Sequence, residues 1–143
     1  MNYKKAVDLN PKKVECFYNL GNSYCNKNNY GEAIQYYLKA IALDPMHDPA
    51  FYNLGYAHHR NGQLDQAIHS YKIAIELNKN SAESHFNLAS AYNDNGNEKD
   101  AIESYKQSIR CDPDNIDSYI NVAQLHEKAD QHKEAYQYYK SAM

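Results

Sequence analysis

Four asparagines stand 34 residues apart: Asn19, Asn53, Asn87 and Asn121. Four residues before three of them lies an acid, Glu15, Glu83 or Asp117, and Pro49 interrupts the series. A side-chain amide both donates and accepts, so a row of amides can hold the backbone of an extended chain without reading its side chains. The same amides can instead bond locally and tie one element to the next. Spacing alone leaves both uses open. On a helix, residues three and four apart share a face, so the acids and amides form two parallel rows.

Other chemistry is thin. His58 and His59 point to different sides of a helix, and His126, Glu127 and His132 lack the i, i+4 spacing of a zinc pair. His58 and His126 occupy the positions of Tyr24 and Tyr92 in the 34-residue register, so both are expected as core histidines replacing a tyrosine. Cys16 and Cys25 are nine residues apart. On one helix that is roughly 13 Å, too far for a disulfide. With Cys111 elsewhere, reduced thiols in a cytoplasmic protein are the expectation, with the nucleus as the alternative. The five glycines form no phosphate loop, no nucleophile elbow is present, and no base marks Cys25 for activation. No enzyme activity, metal or cofactor is expected.

The elements that carry these residues follow from the same period. Leu20, Leu54, Leu88 and Val122 recur every 34 residues, as do Ala33, Ala67, Ala101 and Ala135, and Tyr37, Tyr71, Tyr105 and Tyr139. Gly21, Gly55, Ala89 and Ala123 follow the first series in register. A period of this length means helix–turn–helix units, each burying its apolar face on the next. In the first unit, helices are predicted over residues 14–27 and 30–43. Gly21 and Ala33 let them approach, and Tyr37 fills the space beside them. The turn within a unit carries Gly62 or Gly96, and Asn28 or Asp130 elsewhere, all residue types that accept the left-handed conformation. Pro11, Pro45 and Pro113 mark ends of second helices. Lys79 stands at the equivalent fourth site, so that junction is expected to be looser or more continuous.

These series resemble the tetratricopeptide repeat (TPR), through Phe17, Leu20, Gly21, Tyr24, Ala33, Tyr37, Ala40 and Pro45 and their counterparts along the whole chain. The resemblance implies an all-α, right-handed TPR solenoid of antiparallel helix pairs, with nine helices. A partial repeat occupies residues 1–13, because Tyr3, Ala6, Leu9 and Pro11 match Tyr37, Ala40, Leu43 and Pro45. Full repeats cover 14–47, 48–81 and 82–115, and a fourth, cut in its second helix, covers 116–143. The chain is therefore expected to be a piece of a longer array, with weak head-to-tail self-association through its uncovered ends.

In such arrays the first helix of each pair lines a concave groove. The groove residues this implies are Glu15, Tyr18, Asn19 and Asn22, then Tyr52, Asn53, Tyr56 and Arg60, then Glu83, Phe86 and Asn87, then Asp117, Ile120, Asn121 and Gln124. Ser90, Asn93, Asp94, Glu127 and Lys128 lie beside them. The aromatics are either anchors for a bound chain or packing against neighbouring helices. The acid-plus-asparagine rows are similar to those of O-linked N-acetylglucosamine transferases, whose repeat array holds extended substrate peptide.

Function follows as an expectation. The leading one is a non-catalytic protein–protein interaction module or scaffold that binds a peptide in the groove. The rivals are a substrate-recognition fragment of a glycosyltransferase and a structural spacer in a large assembly. The groove sums to −3 apart from histidines, so the expected partner is neutral to basic with apolar side chains. Repeat arrays that bind acidic chaperone tails use a clamp of Lys and Arg. The matching positions here read Tyr18, Asn22, Asn53, Glu83 and Asn87, without a base. A formal net charge of −3 over the whole chain argues against nucleic acid, and no apolar run is long enough for a membrane span.

Overall fold

The computed structural model describes residues 11–143. The described residues form eight helices: α1 (Pro11–Asn26), α2 (Tyr30–Leu43), α3 (Asp48–Arg60), α4 (Leu64–Leu77), α5 (Ala82–Asp94), α6 (Glu98–Cys111), α7 (Ile116–Lys128) and α8 (His132–Ser141). The fold class is all-α. The ninth expected helix, over residues 1–10, lies outside the described residues. The first predicted helix is already helical at Pro11, three residues before its predicted start. The second matches its predicted span.

The turns have the anticipated backbone. Asn28 and Asp130 adopt φ of 62° and 60°, and Gly62 and Gly96 take φ of 81° and 85°. Four positions in register thus solve one problem with three residue types. After α2, α4 and α6 the chain leaves in extended geometry. Asp44, Asn78 and Asp112 each donate a backbone N–H to the carbonyl four residues back, on Ala40, Ala74 and Ser108. The helix therefore stops at Leu77 without a proline, so Lys79 does not let it continue. At this junction the chain divides into two compact units, one ending at Lys79 and the other running from Asn80 to Met143.

In the first unit, α1 packs on α2, α2 on α3, and α3 on α4. Its core is Ala33, Tyr37, Ala40, Ala50, Leu54, Ala57, Ala67, Tyr71 and Ala74, all buried. Alanine dominates because helix axes close enough to exclude water leave room for little more than a methyl group. The tyrosine rings fill what the small residues leave. Leu20 departs from its series and is 38% exposed.

In the second unit, α5 packs on α6, α6 on α7, and α7 on α8. Its core holds Leu88, Ala89, Ala91, Ala101, Tyr105, Val122, Ala123, Leu125 and Ala135. Ser108 stands where Ala40 and Ala74 stand in the first unit. Its buried hydroxyl donates to the Ala82 carbonyl at 2.9 Å and accepts from the Ser118 hydroxyl at 3.2 Å, so both polar groups are satisfied.

Candidate peptide-binding surface

The predicted groove residues of the first unit all lie on α1 and α3, and part of that set forms one hydrogen-bonded network. Asn53 Nδ2 donates to Tyr18 Oη at 2.8 Å and to Asn22 Oδ1 at 3.1 Å. The same Asn22 oxygen accepts from Tyr37 Oη at 2.6 Å. The Asn53 amide nitrogen has thus placed both its hydrogens, and Asn22 Oδ1 has filled both its lone pairs. What remains is complementary: an acceptor, Oδ1, on Asn53 and a donor pair, Nδ2, on Asn22. Tyr18 and Tyr37 fix the orientation of both amides.

Three of the predicted groove aromatics also pack within their own repeats. Tyr18 lies against Tyr37, with ring centroids 6.1 Å apart, and against His47 at 5.0 Å. Tyr52 lies 6.0 Å from Tyr71. In the second unit Phe86 meets Tyr105 edge to face at 5.4 Å. These rings are half-buried because each leans on the core tyrosine of its own repeat. Tyr56 is different. It stands exposed, with Tyr30 edge-on at 6.5 Å. Arg60 lies over the Tyr30 ring at 5.8 Å and donates from Nε to Tyr30 Oη at 3.2 Å. Glu15 and Asn19 are exposed on α1.

The second unit carries the remaining positions on α5 and α7. Glu83, Asp117 and Gln124 are exposed, whereas Asn87, Ile120 and Asn121 are half-buried. Beside them Glu127 accepts from Tyr139 Oη at 3.0 Å. Lys128 pairs with Glu98 at 2.6 Å, so the one base flanking this set is already neutralised. The first unit's set holds one acid and one arginine, and the negative charge of the predicted surface falls on the second unit.

Cys25, on α1, is half-buried. Burial pushes its thiol pKa up, outweighing the opposing effects of neighbouring Tyr37 and the nearby Arg60 charge, so the thiolate is disfavoured. The described residues contain no group of three His, Cys, Asp or Glu side chains placed to hold a metal. No helix among them is long and apolar enough to cross a membrane.

His126 is buried, as the register implied, and its ring stacks on Tyr138 at 5.5 Å and 19°. His58 is half-buried. Sequence reasoning missed their partners. His58 Nδ1 bonds Gln63 Oε1 at 2.9 Å, and His126 Nδ1 bonds Gln131 Oε1 at 2.6 Å. Both glutamines sit at helix N-caps without capping the backbone. The signal was present: five residues after Tyr24 and Tyr92 comes Asn, and five after His58 and His126 comes Gln.

Comparison with known proteins agrees with this architecture. A TPR repeat model matches residues 21–62, and tetratricopeptide repeat models match residues 52–116 and residues 2–35 and 104–137. A crystal structure of MamA is 31% identical, with a TM-score of 0.89, over 98% of this chain and 82% of that one. MamA from Desulfovibrio magneticus RS-1, residues 41 to the end, is 22% identical with a TM-score of 0.85, over 91% and 73%. The first TPR domain of Spaghetti (RPAP3), solved with the HSP90 peptide SRMEEVD, is 19% identical with a TM-score of 0.82, over 87% and 98%. The latter two likenesses speak to the fold alone. No curated protein matches by sequence.

Proposed function

Because the chain belongs to the tetratricopeptide-repeat family, we propose that it is a non-catalytic protein-interaction module that holds an extended peptide against α1 and α3. The observation that carries this reading is the Asn22–Asn53 pair. It offers one donor group and one acceptor, the pattern that a peptide unit's C=O and N–H complete. Tyr18 and Tyr37 hold both amides in place before binding, so little side-chain entropy is lost on association.

The partner is neutral to basic and carries apolar side chains. Glu15 and Arg60 balance on α1 and α3, and Tyr18, Asn22 and Asn53 supply no base there, so this surface offers an acidic tail no basic clamp.

Asn22→Asp is the discriminating variant. It keeps the oxygen that accepts from Tyr37 and Asn53, and it removes the donor pair. A peptide array of neutral and basic ten-residue segments, probed with both proteins, reads the difference. Binding to the neutral peptides weakens by about 0.5–1.5 kcal/mol per lost hydrogen bond while the melting temperature holds. Unchanged capture of the neutral peptides by the variant, or preferential capture of Asp/Glu-rich tails by the wild type, overturns the reading.

A further inference from the structure

The first and fourth pairs share a stacked ring on the first helix that the second pair does not show. In the first pair, Tyr36 stacks on Tyr24 at 5.5 Å and 7°. In the fourth pair, Tyr138 stacks on His126 at 5.5 Å and 19°. The register puts Ser70 at this position in the second pair, opposite His58. His58 makes the same Nδ1 bond to a glutamine five residues on as His126 does, so its ring is held the same way. Its stacking partner has no ring. The space is open: a groove of about 440 Å³ lies between α2 and the α3–α4 pair, lined by Leu38, Phe51, Leu54, His58 and Ser70, among others. Leu38 at its edge is 45% exposed.

The first pair also shows what accompanies such a ring. Lys39 Nζ lies 5.0 Å over the Tyr36 ring. In the second pair the position of Lys39 is Ile73. The described lining residues include a carboxylate, Asp65, and no Lys or Arg. The groove thus lacks the aromatic ring of the first and fourth pairs, and its described lining carries one carboxylate, Asp65, beside the imidazoles of His58 and His69.

We propose that this groove docks an aromatic side chain of a partner protein, stacked on His58, with an adjacent Lys or Arg of the partner meeting Asp65. Offset stacking adds to the apolar area that Phe51, Leu54 and Leu38 bury on the ring. The site is separate from Asn22 and Asn53 and does not rest on the peptide-backbone reading. Asn22→Asp leaves it intact, so the two ideas fail separately.

The test is a pair of amide-detected NMR titrations with N-acetyl-tyrosyl-lysine amide and N-acetyl-leucyl-lysine amide. The tyrosyl probe shifts the amides of Leu54, His58 and Ser70, and binds more tightly than the leucyl probe. Ser70→Tyr fills the groove with the chain's own ring, as in the first and fourth pairs. It lowers tyrosyl-probe affinity by roughly tenfold or more, with a melting temperature at or above wild type. His58→Ala removes the stacking face and leaves the groove open, which keeps the test decisive should Ser70→Tyr perturb the fold. Tyrosyl binding that is absent at millimolar probe, no tighter than leucyl binding, or unchanged in a folded variant overturns the proposal.

Discussion

Gly55 lies directly against the ring of Tyr71: a Cβ at Gly55 would fall 2.7 Å from Tyr71 Cδ1 and 2.8 Å from Cε1. Tyr71 is fully buried, so its ring has nowhere to retreat. Gly21 stands in the same relation to Tyr37, at 2.6 Å. Two glycines inside helices α1 and α3 are thus explained by close approach, against the usual helix penalty for glycine. Gly55→Ala gains about 0.5–1 kcal/mol of helix propensity and loses about 1–3 kcal/mol to overpacking. The expected outcome is net destabilisation of about 1–2 kcal/mol, read as a lower urea midpoint. An unchanged or higher midpoint would mean the ring shifts freely.

The hydroxyls of the same two tyrosines have opposite fates. Tyr37 Oη donates to Asn22, whereas buried Tyr71 Oη has no partner. The reason lies in the register: position 22 is Asn in the first repeat, and its counterpart is Tyr56 in the second. An unmade hydrogen bond at a buried hydroxyl is a cost that deleting the hydroxyl removes. Tyr71→Phe is expected to be neutral or stabilising, and Tyr37→Phe to cost about 0.5–1.5 kcal/mol. Thermal melts of the two variants side by side decide it; equal losses would contradict the assignment.

The helix pairs were legible in the sequence because their determinants are local or strictly periodic. The 34-residue series located the buried faces, and Asn28 and Asp130 announced their left-handed backbone by residue type. The surface was harder to read. Tyr18, Tyr52 and Phe86 sit on helix faces that a wheel assigns to the groove, yet their rings lean on Tyr37, Tyr71 and Tyr105. Rotamer choice between two apolar neighbours is a packing decision that spacing does not record. Asn53 was left between two uses, and the structure gives it both a local bond set and a remaining acceptor. The groove beside His58 needed the comparison of Ser70 with Tyr36 and Tyr138, and the stacking that gives this comparison meaning is visible only in three dimensions.

Ala67 is wholly buried in the helix pair α3–α4. Its counterparts Ala33 and Ala101 are equally enclosed. Ala67→Leu adds three carbons at a wholly enclosed position, and the expected cost is about 1–3 kcal/mol. A urea midpoint equal to wild type would show that α3 and α4 separate easily. Far-UV circular dichroism should stay helical at low urea, because the loss is in packing rather than in helix propensity.

Alkaline pH should weaken the second unit through Tyr105. Burial first, and then the nearby Asp94 charge, push its pKa up to about 12, against a partial offset from a hydrogen bond with Ser90. In the unfolded chain a tyrosine titrates near ~10. The folded state therefore holds the phenolic proton more tightly than the unfolded state does. This contribution to stability is fully present below about pH 10 and is lost progressively as pH rises through about 12. Burial raises Tyr37 and Tyr71 in the same direction, so the first unit shares the trend. Tyr105→Phe should flatten the fall in urea midpoint between pH 9 and 12, on the order of that window, without abolishing it. The Tyr105→Phe protein then loses less stability than wild type across that range, even if it is less stable at neutral pH. An identical pH slope for both proteins would show that Tyr105 ionises without penalty in the folded chain.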